Sequence, residues 1–588
     1  MCGIYGANYT APEVMHRAAE HLRPRGPDGS GVYSDGVVTL GHTLLALRDA
    51  AGRSHQPYTR PGQPWVLLYN GQIYNTKQLW HALRMAGPCP DLDTAVVYRA
   101  IETYGWAFAA HLHGMFAIAL YHTRARIVRL YRDVTGQKIL YYYHHRGRFI
   151  FSSDIGGILV HDHLDRTPDA EAIALATQLG YLPGDKTLFA HIHKVQPAEV
   201  ITFDCRHRRL SRQGLLSQVP TAYYDDETVF TQLVAEHVPG HHPVGINLSG
   251  GLDSSLVFHE LRHLGYPVQA YTTQFEGVSE GYNEDARLAT RLADEYGAAL
   301  CPVVVSKASY QARFVESYRR VEEPSYNISL PIYLQTAEHE GSQGDGYRVI
   351  LSGDGGDELF AGYPYYYAYA TMPATAPRVS PHNGLVYHVH DPIERWLFFN
   401  QSAPVTYVRP QAFALPAYIQ SIATSYLQRY RLRGHAFHQV MVLDRVLWLA
   451  SENFIRTDKI FMSQSIELRA PLAYHPFRVH FDTRLLPPQY HTAAQNKCYL
   501  RARYADKLPP YITARARKSG WKAPIAEWYD ADMQAFFLSL LPPDAAAPGL
   551  VDWPALKRDI ARTPEWPGKY IHLYLSLAIL ADYYRLAI

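Results

Sequence analysis

The sequence predicts two domains: an α+β layered domain, then an α/β domain with a parallel sheet that ends in a mostly helical region. Three observations carry that prediction. Roughly the first 205 residues hold short alternating apolar segments broken by Gly and Asn turns. From residue 244 apolar strand-like runs alternate with helical patterns, which calls for parallel strands joined by crossovers. Beyond about residue 385 the pattern is helical with aromatic stripes. At 588 residues the chain is also too long for one ordinary core.

In the first domain, residues 37–40, 65–69, 116–121, 127–131 and 139–143 read as strands, and 12–21 and 94–104 as helices. Packed sheets with flanking helices follow. The domain is set at 1–205, and the polar stretch 206–225 reads as a linker. The second domain, 226–588, opens with strand 244–248, helix 254–264, strand 269–275, helix 283–296 and strand 302–305. A later strand, 348–351, runs into a loop rich in Gly and Asp.

Composition narrows the function. Hydrophobic residues make up 47% and charged residues 19%, as in a soluble globular protein. A net charge of +2 offers no electrostatic footprint for nucleic acid or membrane. The five cysteines (Cys2, Cys89, Cys205, Cys301, Cys498) are scattered and odd in number, which suits a reducing compartment. With no signal peptide or apolar span in view, a cytoplasmic protein is expected. The 30 His and 45 Tyr are unusually many, and no zinc site is expected among the histidines.

Cys2 lies directly behind the initiator Met and before Gly3. Removal of Met1 would give it a free α-amine, which titrates near pH ~8 and can serve as the base for its own thiol. In the second half, Ser249-Gly250-Gly251-Leu252-Asp253-Ser254-Ser255 sits between a strand and a helix. Small residues there let backbone N–H groups approach an anion at a helix N-terminus. Ser249, Ser254 and Ser255 can donate to phosphate oxygens, whereas Asp253 suits Mg²⁺ better. The run is neither a Walker A loop nor GxGxxG. It resembles the pyrophosphatase loop of ATP-using, adenylate-forming enzymes. Leu351-Ser352-Gly353-Asp354-Gly355-Gly356-Asp357-Glu358 follows another strand. Ligands gather at the carboxyl ends of parallel strands, so the two loops are expected to share one mouth. Asp253 and Asp357 could then hold Mg²⁺, and Asp354 could orient an amine. Arg515-Ala516-Arg517-Lys518-Ser519-Gly520 offers cations for a leaving pyrophosphate.

Together these motifs resemble the glutamine-dependent asparagine synthetase family over essentially the whole chain. Further marks are Arg25-Gly26-Pro27-Asp28, Asn70-Gly71-Gln72-Ile73-Tyr74-Asn75, Gly114-Met115-Phe116-Ala117, Arg132-Asp133, Glu323-Pro324 and Glu467-Leu468-Arg469-Ala470-Pro471. The resemblance implies an N-terminal nucleophile domain of αββα layers, then an ATP-pyrophosphatase domain. It implies Cys2 as nucleophile, Asn70 and the Gly71 N–H as oxyanion hole, and Gln72, Asp93 and Arg48 around glutamine. At the second site it implies ATP held by Leu248, Ser249, Gly250, Gly251, Asp253, Ser254, Ser255, Thr273, Ser352 and Gly353. Lys518 would support adenylation, and Mg²⁺ would be held by Asp253 and Asp357. Ammonia would pass through an internal tunnel to an adenylated carboxylate, by default that of aspartate. A homodimer is the family expectation.

The departures matter as much. Leu44 stands where the family places the Arg that clamps the glutamine α-carboxylate, and Leu cannot form that charge-assisted pair. Arg48 is the nearest substitute. Gln72 replaces a Glu that receives the substrate ammonium, Ala95 replaces an acidic residue, and the segment after Pro471 lacks the usual Asp. Three readings stay open: a glutamine-dependent amidotransferase; a specialised amide ligase or cyclase, such as a lasso-peptide cyclase, that uses an amine directly; and a non-enzymatic homologue.

Overall fold

The computed structural model describes residues 2–10, 12–47, 54–90, 92–215, 224–238, 240, 243–342, 347–373, 377–379, 386–400, 407–408, 415–429, 436–482, 485, 487–515, 523–543 and 549–588. The strands of the first domain are β1 (Cys2–Ala7), β2 (Gly29–Ser34), β3 (Thr39–Leu44), β4 (Trp65–Ile73), β5 (Gly114–His122), β6 (Ile127–Arg132), β7 (Tyr141–His145), β8 (Arg148–Ser152), β9 (Ile192–Lys194), β10 (Glu199–Asp204) and β11 (Arg209–Gly214). They form two antiparallel sheets, ordered β2-β3-β1-β8-β7-β9 and β11-β10-β6-β5-β4.

Strand alternation builds the layers. On β4, Val66 and Leu68 face a core shared with Ile4, Leu40, Ala117, Leu130, Phe151 and Ile201 from both sheets. Trp65, Leu67 and Tyr69 face the other way, onto α2 (Thr76–Ala82) and α3 (Asp93–Tyr104). On β1, Tyr5 and Ala7 turn outward to α1 (Pro12–Leu22), α4 (Ile155–Leu159) and α5 (Ala170–Leu179). The result is helix, sheet, sheet, helix, the αββα arrangement. The α5 ends are written in the sequence: the Asp169 side chain accepts from Ala172 N, and Gly180 takes the left-handed C-terminal position. The polar stretch after residue 205 begins inside a sheet, because β11 pairs with β10 as an exposed edge strand.

The second domain holds a parallel sheet, β14-β13-β12-β15-β18. Its strands are β12 (Val244–Asn247), β13 (Val268–Phe275), β14 (Ala299–Val305), β15 (Val349–Leu351) and β18 (Glu467–Arg469); β16 (Arg378–Val379) and β17 (Val386–Tyr387) form a separate antiparallel pair. Helices α6 (Val229–His237), α7 (Leu252–His263), α8 (Glu284–Glu295), α9 (Lys307–Val321) and α10 (Leu330–Gly341) surround it. The chain moves outward from β12 through β13 to β14, then returns to β12's other side as β15. The β12–β15 seam is therefore the switch point where an α/β sheet opens a crevice. A π-helix at Asp444–Asn453 leads into the helix Phe454–Met462.

Buried charge lies between the domains. Asp458 accepts from Arg25 at 2.6 Å and from Lys138 at 2.8 Å. Lys194 meets Glu323 at 2.7 Å, and the Tyr141 hydroxyl donates to the same carboxylate at 2.6 Å. Glu322 accepts the N–H groups of Ile155 and Gly156, both at 2.7 Å, and pairs with Lys459. Burial alone would raise the Asp458 pKa, but the charges of Arg25 and Lys138 hold it down at about 2. Its contribution to stability is present above the ordinary value of 3.8 and is lost as pH falls toward 2. Asp458→Asn leaves two buried cations short of their counter-charge. It should cost about 3–5 kcal/mol of stability by urea denaturation at neutral pH; a loss below about 1 kcal/mol would remove this layer from the list of structural determinants.

Candidate functional sites

Cys2 begins the central strand of the first sheet, buried, with its register partner Leu44 across β3. The Cys2 N–H donates to Asn70 Oδ1 at 3.0 Å. That bond fixes the Asn70 amide plane and leaves its Nδ2 buried without a partner, an open donor on the residue that holds Cys2 N. Gly71 follows; a side chain there would meet Met115 O at 2.2 Å, so only Gly fits. Burial raises the Cys2 thiol pKa, against the N-terminal charge and a backbone hydrogen bond at Leu45; Glu467 and Asp93 push it further up.

Asp93 and Gln72, the residues expected around glutamine, are engaged with other protein groups. Asp93 Oδ2 accepts from the Tyr69 hydroxyl at 2.7 Å, and from Gln72 Nε2 and Ile73 N at 3.2 Å. Gln72 Oε1 accepts from Arg469 Nη2 at 3.1 Å. Gln72 thus bridges a carboxylate and a guanidinium, a role its neutral amide fills with both ends. Leu44, the register partner of Cys2, places an uncharged side chain there. Arg48 lies outside the described residues.

Arg469 was quoted in the sequence only as part of a motif, and the structure gives it a larger place. Its side chain also binds Glu467 Oε1 and His237 O, both at 2.6 Å, and its carbonyl accepts from Ser352 N at 2.9 Å. One residue therefore spans from the Cys2 pocket to the second acidic loop. Tyr474, in the segment that lacks the family Asp, packs against Tyr74 and His237 at this junction.

The two loops of the second domain share one mouth, as their strands require. Leu248 N donates to Tyr271 O at 2.8 Å, closing β12 onto β13. Ser249 Oγ lies 3.0 Å from Ser254 Oγ, and Gly251 N donates to Ser249 Oγ at 3.3 Å. Gly250 adopts φ +71°, and a side chain there would strike Asp285 O at 2.4 Å. Ser255 Oγ is buried without a partner. Thr273, half-buried on β13, stands two residues beyond the β12–β13 register, at the same carboxyl edge. Side chains at Gly353 and Gly356 would meet Ser254 N at 2.7 Å and Asp253 Cγ at 2.6 Å, so the second loop lies directly against the backbone and the Asp253 side chain of the first.

Asp253 and Asp357 converge on a single cation, Lys497, which pairs with both carboxylates and lies 2.6 Å from Asp357 Oδ1. Sequence reasoning missed Lys497, a lone lysine in no recognised motif. Lys518 lies outside the described residues. Arg515, which opens its basic run, binds Asp285 at 2.7 Å and Glu284 at 2.9 Å. Those bonds tie the run's start to α8, the helix that abuts Gly250. Asp354 accepts from Ser352 Oγ at 2.8 Å and Asn453 Nδ2 at 3.3 Å. Beyond it lie Arg456, paired with Glu452 at 3.2 Å and stacked 4.2 Å over Tyr333, and Asn327, which donates to Glu452 at 3.0 Å. No local sequence signal joins these residues, because the π-helix and three other segments assemble them.

One spacing passed over in the sequence, His259-Glu260-Leu261-Arg262-His263, has the HExxH form of a zinc protease. It does not build that site. Glu260 is buried, accepting from Tyr504 at 2.6 Å and Thr231 at 2.7 Å, and His259 bonds the Tyr296 hydroxyl at 2.7 Å. Among the described residues no helix is long and apolar enough to cross a membrane.

Fold and sites define a two-centre protein, an amidotransferase-type domain joined to an ATP-type synthetase domain. Comparison with known proteins agrees. Residues 1–213 match the glutamine amidotransferase domain and residues 227–577 the asparagine synthase domain. The chain belongs to the asparagine synthase family. It is 24% identical to asparagine synthetase [glutamine-hydrolyzing] 1 of Bacillus subtilis, over 92% of this chain and 90% of that one. It is 26% identical to that organism's asparagine synthetase 3, over 81% and 80%. Amidase chry2 of Gibberella zeae is 26% identical over 60% of this chain and 56% of its own.

Glu358, next to Asp357, offers a direct check on this mouth. Burial, then the Asp357 charge, raises its pKa from 4.5 to about 8, while the Tyr363 hydroxyl donates to it at 2.6 Å. Between those two values the unfolded chain releases a proton that the folded chain keeps, so wild-type stability falls as pH rises and then levels off. Glu358→Gln keeps the acceptor and cannot ionise. Its stability relative to wild type should grow from pH ~4.5 to about 8 and plateau above; a difference that stays flat across denaturation curves in that window would refute the buried neutral acid.

Proposed function

We propose that this protein forms an amide bond in two ATP-dependent steps, with glutamine as nitrogen donor. A carboxylate oxygen attacks the α-phosphorus of ATP, pyrophosphate leaves, and an acyl-adenylate remains. Ammonia then attacks the acyl carbon, and AMP leaves. The convergence of Asp253 and Asp357 on one cation beside the Ser249–Ser255 loop carries this reading. Two hard carboxylate oxygens aimed at one point suit Mg²⁺, which would take a place beside Lys497 and neutralise the triphosphate. Backbone N–H groups of the loop and the Ser255 hydroxyl are the donors for the phosphates. Asp354, held by Ser352 and Asn453, faces the incoming amine from the helical side.

At the first site, with Met1 removed, the Cys2 α-amine takes the thiol proton and the thiolate attacks the carboxamide carbon; the α-ammonium then returns that proton to the nitrogen, which leaves as ammonia as the thioester forms. Asn70 Nδ2 and Gly71 N stabilise the oxyanion, each worth about 3–4 kcal/mol. Water then releases glutamate. Aspartate is the default acid by family, and cytoplasmic location and a homodimer belong to the same reading.

A second reading rests on a specific observation: Leu44 carries no charge, and Asp93 and Gln72 are consumed by Tyr69, each other and Arg469. In that reading the enzyme is a natural-product amide ligase that takes an amine directly, and the first domain serves to hold Arg469.

ATP–pyrophosphate exchange across a panel of carboxylic acids, read alongside glutamate release, separates the two. Under the first reading Cys2→Ala abolishes glutamine-dependent amide formation and keeps activity with ammonium, while Asp253→Asn lowers exchange by at least ~10²-fold. Equal glutamine-dependent turnover in wild type and Cys2→Ala would overturn it. Exchange driven by a larger acid but not by aspartate would select the second reading, and exchange with no acid would sink both.

A further inference from the structure

We propose that His145, His191 and Asp165 form a binding site for a first-row divalent transition metal, Zn²⁺ by geometry, on the first domain and away from both centres. His145 ends β7, His191 immediately precedes β9, and Asp165 lies on the loop after α4. One ligand atom from each lies within 4.8 Å of the others.

The distances leave room for a shared ion. Asp165 Oδ2 is 3.5 Å from His191 Nε2 and 3.8 Å from His145 Nε2. Both exceed the 2.7–3.2 Å of a hydrogen bond. They approach the ~3.3–3.4 Å separating two ligand atoms that each lie ~2.0–2.1 Å from a tetrahedral zinc. His145 Nε2 is buried and has no hydrogen-bond partner. The two imidazoles stack with centroids 3.9 Å apart, and a nitrogen of each lies within 4.8 Å of the carboxylate oxygen.

The carboxylate is oriented before any metal arrives. Thr167 donates its N–H at 2.9 Å and its hydroxyl at 2.6 Å to Asp165 Oδ1, turning Oδ2 toward the histidines. The Tyr143 hydroxyl accepts from Asp165 N at 3.3 Å. Ala190 N donates to Thr167 O at 2.9 Å, and His144 N to His191 O at 3.1 Å, locking the three segments together. Such outer-shell bonds orient ligands in known metal sites. Side chains 25–36% exposed leave a fourth position for water.

The location suggests what the metal does. β9 is a three-residue edge strand, and it carries Lys194, whose pair with Glu323 crosses the domain boundary. A metal clip from β7 to the residue before β9 braces that strand. Three sequence positions 20 to 46 residues apart bring the ligands together, which no short motif records.

Zn²⁺ titration of the metal-stripped full chain against a chromophoric chelator tests this, with Co²⁺ absorption reporting the coordination number. Wild type should bind one equivalent that is lost in both Asp165→Asn and His191→Gln, each first shown to be folded by circular dichroism. Thr167→Val should keep the equivalent at about 10–100-fold weaker affinity. Zn²⁺ should raise the melting temperature of wild type and not of the two ligand variants. Equal stoichiometry and affinity in wild type and the ligand variants, or a Co²⁺ spectrum that the variants leave unchanged, would overturn the proposal.

Discussion

Arg469 sits where burial, charge and geometry meet. A guanidinium with no solvent exposure must find acceptors in fixed directions. It finds Glu467, His237 O and Gln72, three segments from both domains, while its own carbonyl holds the second acidic loop through Ser352. The Arg25–Asp458–Lys138, Lys194–Glu323 and Glu322–Lys459 groups repeat the principle along the same boundary. Buried pairs add little net stability over apolar packing, but an unmatched member is costly. In this placement each of these charges meets its partner, so a shifted placement that left one unmatched would be costly.

That placement gives the chemistry its economy. The Cys2 pocket and the crevice of the second domain each lie at the end of a central strand, β1 and β12, and Arg469 binds Gln72 beside the first and Ser352 beside the second. Gln72 makes sense in this setting. A glutamate there would attract Arg469 but repel Asp93, whereas the amide satisfies both. The substitution that looks like erosion in the sequence is, in the fold, a neutral joint between a carboxylate and a cation. It also leaves fewer free polar groups for an amino-acid substrate.

The parallel sheet was legible because its strands are apolar runs alternating with amphipathic helices; β12, β13, β14 and β15 lie where the pattern places them, within a few residues. The shared mouth of the Ser249–Ser255 and Ser352–Asp357 loops follows from the same rule. β1 was not legible as a strand, because Cys2-Gly3-Ile4-Tyr5-Gly6-Ala7 carries two glycines and gives a weak alternating signal. β3 runs to Leu44 rather than ending at residue 40, since His42 and Thr43 look polar yet are buried between neighbouring strands. β11 reads as linker in the sequence because an exposed edge strand is as polar as a loop.

Local chemistry fixed the candidates by itself: a cysteine that processing can expose, small residues before a helix, carboxylates after a strand. These depend on residues adjacent in the chain, and adjacency is what a sequence records. Lys497 between Asp253 and Asp357, Arg469 on Gln72, and the His145–Asp165–His191 cluster depend on residues brought together from afar. Which charge meets which is settled only when burial removes water as the alternative partner, and that happens in the folded chain.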